Sequence, residues 1–185
     1  MLFLKPPSSF VRPPHPILLP KGHRIHHEVE LAVIIGQPGR RIPVDKAMQH
    51  VAGYALALDM TARDIQEDAM KKGNPWTVAK GFDTFTPISE FVPASLIKDP
   101  HDLELWCKVN QEMRQHGSTA EMTFKIPVLI AHISRIMSLK PGDVILTGTP
   151  EGVGQVKNGD HVECGLVQQD QELQRFAFQA QHDRE

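Results

Sequence analysis

Long apolar runs, net charge and paired cysteines are all scarce in this sequence, and each shortage removes a class of protein. No apolar stretch approaches the roughly 20 residues that a membrane-spanning helix needs. The opening Met1-Leu2-Phe3-Leu4-Lys5-Pro6-Pro7 is broken by proline too early to read as a secretory signal. Net charge is −2 with acids and bases interspersed, so neither a nucleic-acid stripe nor a polybasic membrane patch is expected. The two cysteines, Cys107 and Cys164, lie far apart in the chain and outside any Cys-x-x-Cys pair. They read as structural thiols of a reducing compartment. The expected location is cytoplasmic, or mitochondrial if a targeting segment precedes the residues seen here. Zinc is disfavoured: among ten histidines, His23, His26 and His27 have neither a His-Glu-x-x-His helix nor cysteine partners.

What remains is ordinary globular material, 41% hydrophobic and 23% charged. A chain of 185 residues buries about 70% of its unfolded surface, enough for one core without disulfides. With no internal repeat, residues 1–185 are expected to form a single catalytic domain. Prolines before residue 20 predict an irregular arm. Alternation in Val29 to Ile35 predicts a strand that Gly36-Gln37-Pro38-Gly39 ends. His50 to Leu58 is a second β-rich segment, followed by a short helix with Thr61 as N-cap, Asp64 at N3 and Gly73 past its end.

Leu103 to Val109 alternates as a strand, with a hairpin at Asn110-Gln111-Glu112-Met113. Pro127 opens a second helix striped by Leu129, Ile133, Ile136 and Met137. Short strands follow at Val144–Leu146 and His161–Leu166, and residues 168–185 form a polar tail of no assigned structure. Many short strands with two modest helices predict a β-rich α+β domain.

Five places carry chemistry. On a strand, Glu28 and Glu30 project from one face, roughly 6.5–7 Å apart along the chain. Carboxylates held that close repel unless a cation or water intervenes, and oxygen ligands suit Mg²⁺ or Mn²⁺. The rival reading is a solvated strand face. Asp59, where an apolar β segment meets the helix start, is either a capping residue or the third carboxylate of such a site. Arg63 and Gln66, three apart on a helix, suit a clamp on a substrate carboxylate, or else a solvated helix side. Lys80, among Trp76-Thr77-Val78-Ala79 and Gly81-Phe82-Asp83, either snorkels to water or points inward, where it can hydrogen-bond or deprotonate an enol. The loop from Thr147 to Gly154 is neither a Walker motif nor a dinucleotide fingerprint, yet it can offer N–H groups and the Thr149 hydroxyl to an anion. A plain turn is the alternative.

In order along residues 2–166 the sequence carries Phe3-Leu4-Lys5-Pro6, His26-His27-Glu28-Val29-Glu30-Leu31-Ala32-Val33 and Gly53-Tyr54 through Asp59-Met60-Thr61-Ala62-Arg63-Asp64. Pro75-Trp76-Thr77-Val78-Ala79-Lys80-Gly81-Phe82-Asp83 comes next. Pro141-Gly142-Asp143-Val144-Ile145-Leu146-Thr147-Gly148-Thr149-Pro150 and Gly152-Val153-Gly154 complete the set. This ordered set resembles the fumarylacetoacetate hydrolase superfamily, in its acylpyruvase and oxaloacetate decarboxylase branch. The resemblance implies a mixed β-sandwich roll that forms homodimers, with Glu28, Glu30 and Asp59 as ligands of Mg²⁺ or Mn²⁺. It makes Arg63, Gln66, Lys80 and Thr149 substrate-binding residues, with Lys80 catalytic.

The implied reaction is C–C bond cleavage in a small 2-oxo acid, by acylpyruvate hydrolysis or oxaloacetate decarboxylation, through an enolate that the metal stabilises. Alternatives on the same fold are a 2-oxo acid tautomerase, isomerase or hydratase, or a catalytically silent metal-binding dimer. The resemblance also implies an upstream segment with a His–Glu lid that supplies acid and base. The chain begins after that point, so the lid is expected to be absent and the base that activates water has no assigned residue. Residues 168–185 match the family poorly.

Overall fold

Alternating and doubly apolar segments account for most of the chain's regular structure. The computed structural model describes residues 2–183, so Met1, Arg184 and Glu185 lie outside the described residues. The proline-rich arm gives three short strands, β1 (Phe10–Val11), β2 (Ile17–Leu19) and β3 (Ile25–His27). Then come β4 (Val29–Ile35), β5 (Val51–Leu58) and β6 (Thr61–Ala62), leading into α1 (Arg63–Lys72) and the single turn α2 (Thr77–Lys80). Strands β7 (Thr86–Pro87), β8 (Val92–Pro93), β9 (Glu104–Val109) and β10 (Glu112–Ser118) precede α3 (Ile126–Ile136). The chain finishes with β11 (Val144–Leu146), β12 (Gly154–Val156), β13 (His161–Gln168) and β14 (Gln171–His182).

The strands form a five-stranded sheet ordered β10-β9-β13-β14-β2 and a four-stranded sheet ordered β11-β4-β5-β8, with smaller sheets β12-β3-β6 and β1-β7. β14 pairs parallel with β2 and β1 with β7, while the other pairings are antiparallel, so the expected β-rich α+β architecture is the one observed. The two larger sheets pack together where β4 and β5 meet β9, β13 and β14. Val29, Leu31, Val33 and Ile35 of β4 and Leu56 and Leu58 of β5 face this core, joined by Phe176, Phe178 and Ala180 of β14. The opposite face of the four-stranded sheet buries a smaller cluster, Ala32, Ala55, Ala57 and Ile88. That second cluster explains why β4 reads as a nearly continuous apolar run.

Several boundaries differ from the sequence expectation. The β-rich segment begins at Val51, because Val44–His50 coils into 3-10 turns. Thr61 does not cap α1; it lies in β6, the helix N-cap is Ala62, and the Thr61 hydroxyl donates to Glu28 Oε1 at 3.0 Å. Asp64 is also diverted, accepting from Arg24 N at 3.1 Å and lying 2.7 Å from His23 Nδ1. Gly73 does end the helix, in the left-handed conformation at φ 67°.

The hairpin after β9 is tighter than expected: Asn110 and Gln111 alone make the turn, at φ 52° and 69°, and Glu112 already belongs to β10. α3 begins at Ile126, one residue before Pro127, and its buried face is Ile126, Ile130, Ala131, Ile133 and Ser134. Ile136, expected inside, is 59% exposed. The reason is polar: Ser134 accepts from Ile42 N through its hydroxyl at 2.9 Å and from Arg41 N through its carbonyl at 2.7 Å. With α3 docked by Ser134, Leu129 is half-buried and lies outside the core cluster. The tail from Gln171 is a long strand, since Phe176, Phe178 and Ala180 alternate inward across from β13.

Candidate metal and substrate site

Antiparallel register brings the acids together. In the β4–β5 pair, Val29 faces Leu58 and Glu30 faces Ala57, so Asp59, one residue past β5, lies opposite Glu28, one residue before β4. Asp59 N donates to Glu28 O at 2.8 Å and closes the ladder there. Glu28, Glu30 and Asp59 are 8%, 4% and 2% exposed. They can each offer one oxygen so that the three lie within 4.8 Å of one another. The solvated-face reading of Glu28 and Glu30 therefore fails, and so does the capping reading of Asp59.

Buried carboxylates so close need counter-charge. Three cations provide it. Lys80, at the end of α2 and 2% exposed, places Nζ 2.6 Å from Asp59 Oδ2 and 3.0 Å from Glu28 Oε2. Lys5 places its Nζ 2.7 Å from Asp59 Oδ1 and donates to Lys80 O at the same distance. Arg63, the first residue of α1, pairs with Glu28 Oε1 and also donates to Gln66 Oε1. Lys80 thus points inward; it does not snorkel.

Among the described residues, the hydrogen-bond donor to Glu30 is a backbone one, Gly148 N at 2.6 Å. Burial, with Asp59 and Glu28 adding like charge, pushes its carboxyl up to about 8. A buried acid so perturbed among two others is what a hard divalent cation relieves, and the all-oxygen donor set suits Mg²⁺ or Mn²⁺. The residues present fit such an ion.

Thr149 arrives through β11. Leu146 pairs with Ala32, so the chain beyond it runs back along the start of β4. Thr147 N and Oγ1 both donate to Leu31 O, and Thr149 Oγ1 donates to Val29 O at 2.8 Å. These groups wall a cavity of about 730 Å³, lined by the three acids, Arg63, Gln66, Lys80, Thr149 and the apolar side chains of Phe3, Trp76, Phe124 and Leu129. Every sequence-nominated site residue meets in this one cavity. His26 and His27 do not line it; His27 is fully buried, and burial together with the facing Arg63 lowers the basicity of His26. His132 of α3 is the histidine that does line it.

Sequence reasoning gave no role to Lys5, Gln115 or His132. Lys5 lies in Phe3-Leu4-Lys5-Pro6, where a lysine among apolar residues was the available signal. Gln115 lies in a polar run that carries no such signal.

The sequence model of the fumarylacetoacetate (FAA) hydrolase C-terminal family matches residues 1–176. The mitochondrial oxaloacetate tautomerase FAHD1 of Mus musculus is 53% identical over 167 residues, covering 90% of this chain and 76% of the relative. Among solved structures, the yeast fumarylacetoacetate hydrolase family protein ynq8 superposes with a TM-score of 0.93 at 39% identity, covering 97% of this chain and 84% of that one. A fumarylpyruvate hydrolase from Pseudomonas aeruginosa, solved with Mn²⁺ and pyruvate, gives a TM-score of 0.90 at 31% identity, over 98% of this chain and 78% of that one.

Proposed function

This chain belongs to the fumarylacetoacetate hydrolase family, and on that premise we propose that it is a divalent-metal-dependent enzyme that interconverts the keto and enol forms of oxaloacetate. One observation carries the reading: a buried lysine, Lys80, places its Nζ within 3.0 Å of two of three converging carboxylates at the wall of a small-molecule cavity. The relatives named oxaloacetate tautomerase shift the emphasis from the C–C cleavage expected from sequence to tautomerisation.

Glu28, Glu30 and Asp59 would hold Mg²⁺ or Mn²⁺, which when bound supplies Lewis-acid charge opposite the carboxylate and keto oxygens of a 2-oxo acid. Arg63, held by Glu28 and Gln66 at the cavity wall, would offer its remaining N–H groups to the substrate carboxylate. Lys80 carries the proton between carbon 3 and the 2-oxygen, and tautomerisation asks for no further reactant. The Thr149 hydroxyl is already spent on Val29 O, so its loop serves an anion through backbone N–H groups. Trp76, Phe124 and Leu129 give the cavity apolar walls beside the acids, against which the substrate carbons would lie.

A second reading keeps the same residues and cleaves a C–C bond, by oxaloacetate decarboxylation or acylpyruvate hydrolysis. The likeness to the fumarylpyruvate hydrolase with Mn²⁺ and pyruvate supports it. The test follows the ultraviolet decay of oxaloacetate enol with Mg²⁺ and with excess chelator, identifying products by NMR. Metal-dependent acceleration that yields keto-oxaloacetate, and that Lys80→Ala removes, is the expected result. Pyruvate with carbon dioxide would mean decarboxylation, and cleavage of acetylpyruvate would mean hydrolysis. Oxalate binding without any turnover would leave a silent binder and sink the enzymatic reading.

The proposed working form is a homodimer, in the cytoplasm or, as for the relatives named mitochondrial, in the mitochondrion. The outer face of the four-stranded sheet supports pairing: Ile34, Ala55, Ile88 and Val144 floor a depression beside Phe10 and Phe91, which are 41% and 45% exposed. Light scattering after size exclusion reads the mass directly, and a monomer would refute the dimer. No helix among the described residues is long and apolar enough to cross a membrane.

A further inference from the structure

Between the two glutamates of the proposed metal site stands Val29, whose own side chain is buried in the core. Its backbone is gripped from both sides by side chains. Val29 N donates to Gln115 Oε1 at 3.0 Å, and Val29 O accepts from Thr149 Oγ1 at 2.8 Å. The grips are themselves linked, because Gln115 Nε2 donates to Thr149 Oγ1 at 2.8 Å. Gln115 also donates to Pro150 O at 2.9 Å and accepts from His27 Nδ1 at 2.8 Å.

All the hydrogen-bonding capacity of this amide is used, and its orientation is fixed. The side facing Val29 N must be the oxygen, and the side facing Pro150 O must be the nitrogen. Gln115 is 1% exposed and follows a register shift in β10 between Met113 and Gln115. A β-bulge there re-aims the side chain across the sheet end, as bulges near functional sites do. The loop is seated on the same bulge: a Cβ at Gly152, which has φ 91°, would collide with the Arg114 carbonyl oxygen, and Pro150 packs on Gly117.

We infer that Gln115 is a positioning residue that locks the 147–150 substrate loop to the Glu28-Val29-Glu30 segment, so that metal ligands and anion-binding loop are set as one unit. Gln115 does not line the cavity that would hold ion and substrate. It acts through Val29, whose N–H and C=O fix the backbone from which Glu28 and Glu30 project, and through Thr149. The inference rests on the metal site proposed above. Groups that hold ligands in this indirect way change metal affinity by about 10–100-fold when removed.

The test measures Mn²⁺ alone, by electron paramagnetic resonance titration of the folded full chain, in Gln115→Met, Gln115→Glu, Thr149→Val and the Gln115→Met/Thr149→Val double variant. Glu30→Ala runs in parallel, and circular dichroism confirms folding. Gln115→Met and Thr149→Val are each expected to weaken Mn²⁺ about tenfold, with the double variant little worse than the weaker single, since both break one linked grip. Gln115→Glu keeps the acceptor for Val29 N and loses the donor to Thr149, so it should fall between wild type and Gln115→Met.

A purely structural glutamine would lower melting temperature and leave Mn²⁺ affinity of the folded protein unchanged. That result overturns the inference, as does a double variant whose losses multiply independently. If Gln115→Met does not fold, Gln115→Glu and Thr149→Val decide by the same criterion. Mn²⁺ affinity retained in Glu30→Ala would refute the metal site itself, a failure distinct from that of Gln115.

Discussion

Replacing Lys80 by methionine tests the electrostatic heart of the site without reference to turnover. Methionine keeps most of the stem's length and removes the charge that sits 2.6 Å from Asp59 and 3.0 Å from Glu28. The side chain is 2% exposed, so solvent offers little screening. Breaking a buried ion pair by deleting one partner costs about 3–5 kcal/mol. The lower end applies, because Asp59 keeps Lys5 and Glu28 keeps Arg63. A loss of about 3 kcal/mol in a chain of 185 residues lowers the melting temperature by about 6–12 °C.

Magnesium should reverse much of that loss. In the wild type a divalent ion at the acids must tolerate a neighbouring ammonium, and in the variant it does not. Lys80→Met is therefore expected to bind Mg²⁺ at least about tenfold more tightly, equivalent to about 1.4 kcal/mol, while losing oxaloacetate turnover. The assay is differential scanning fluorimetry across a Mg²⁺ series, with chelator as the metal-free reference. Unchanged metal-free stability, or a Mg²⁺-induced shift no larger than in the wild type, would refute the arrangement of charges described here.

Other outcomes follow from single residues. Tyr54 is the chain's one tyrosine, and burial raises its phenol to about 12. The protonated form is the one the fold favours, so its contribution is intact below about pH 10, the ordinary tyrosine value, and is lost as pH rises toward 12. Ultraviolet difference absorbance should show a phenolate midpoint near the raised value in native protein and near the ordinary one in denaturant; coincident midpoints would contradict it. Cys107 and Cys164, opposite each other on β9 and β13 and both buried, should resist a thiol reagent in native protein and react fully once unfolded. Rapid labelling of the native fold would count against that packing. Gly152→Ala, which meets the Arg114 carbonyl, should weaken Mn²⁺ binding and destabilise markedly. Gly159→Ala has open space and should cost only the roughly 1–2 kcal/mol of left-handed strain, as urea unfolding would show; equal losses would refute the distinction.

The sequence by itself determined the elements whose signals are local. Alternation in Val29 to Ile35 marked β4 to the residue, and Gly73 marked the end of α1. The types of the site residues were equally legible: acids at period-two spacing, an arginine and glutamine one helical turn apart, and a lysine among apolar neighbours. Their ordered spacing carried the family. Weak or misleading local signals failed for physical reasons. The phase of α3 was decided by Ser134 accepting from Arg41 and Ile42, and a polar residue gives no apolar stripe to read. The tail hid a strand because polar residues alternate with only three buried ones, Phe176, Phe178 and Ala180.

Only the tertiary structure decided what the acids face. Antiparallel register placed Asp59 beside Glu28 across 31 positions of sequence. The arm brought Lys5 to Asp59, and a bulge on β10 delivered Gln115 to Val29. Such partners are fixed by which strands pair and in what register, a property of the packed core and not of any window of residues.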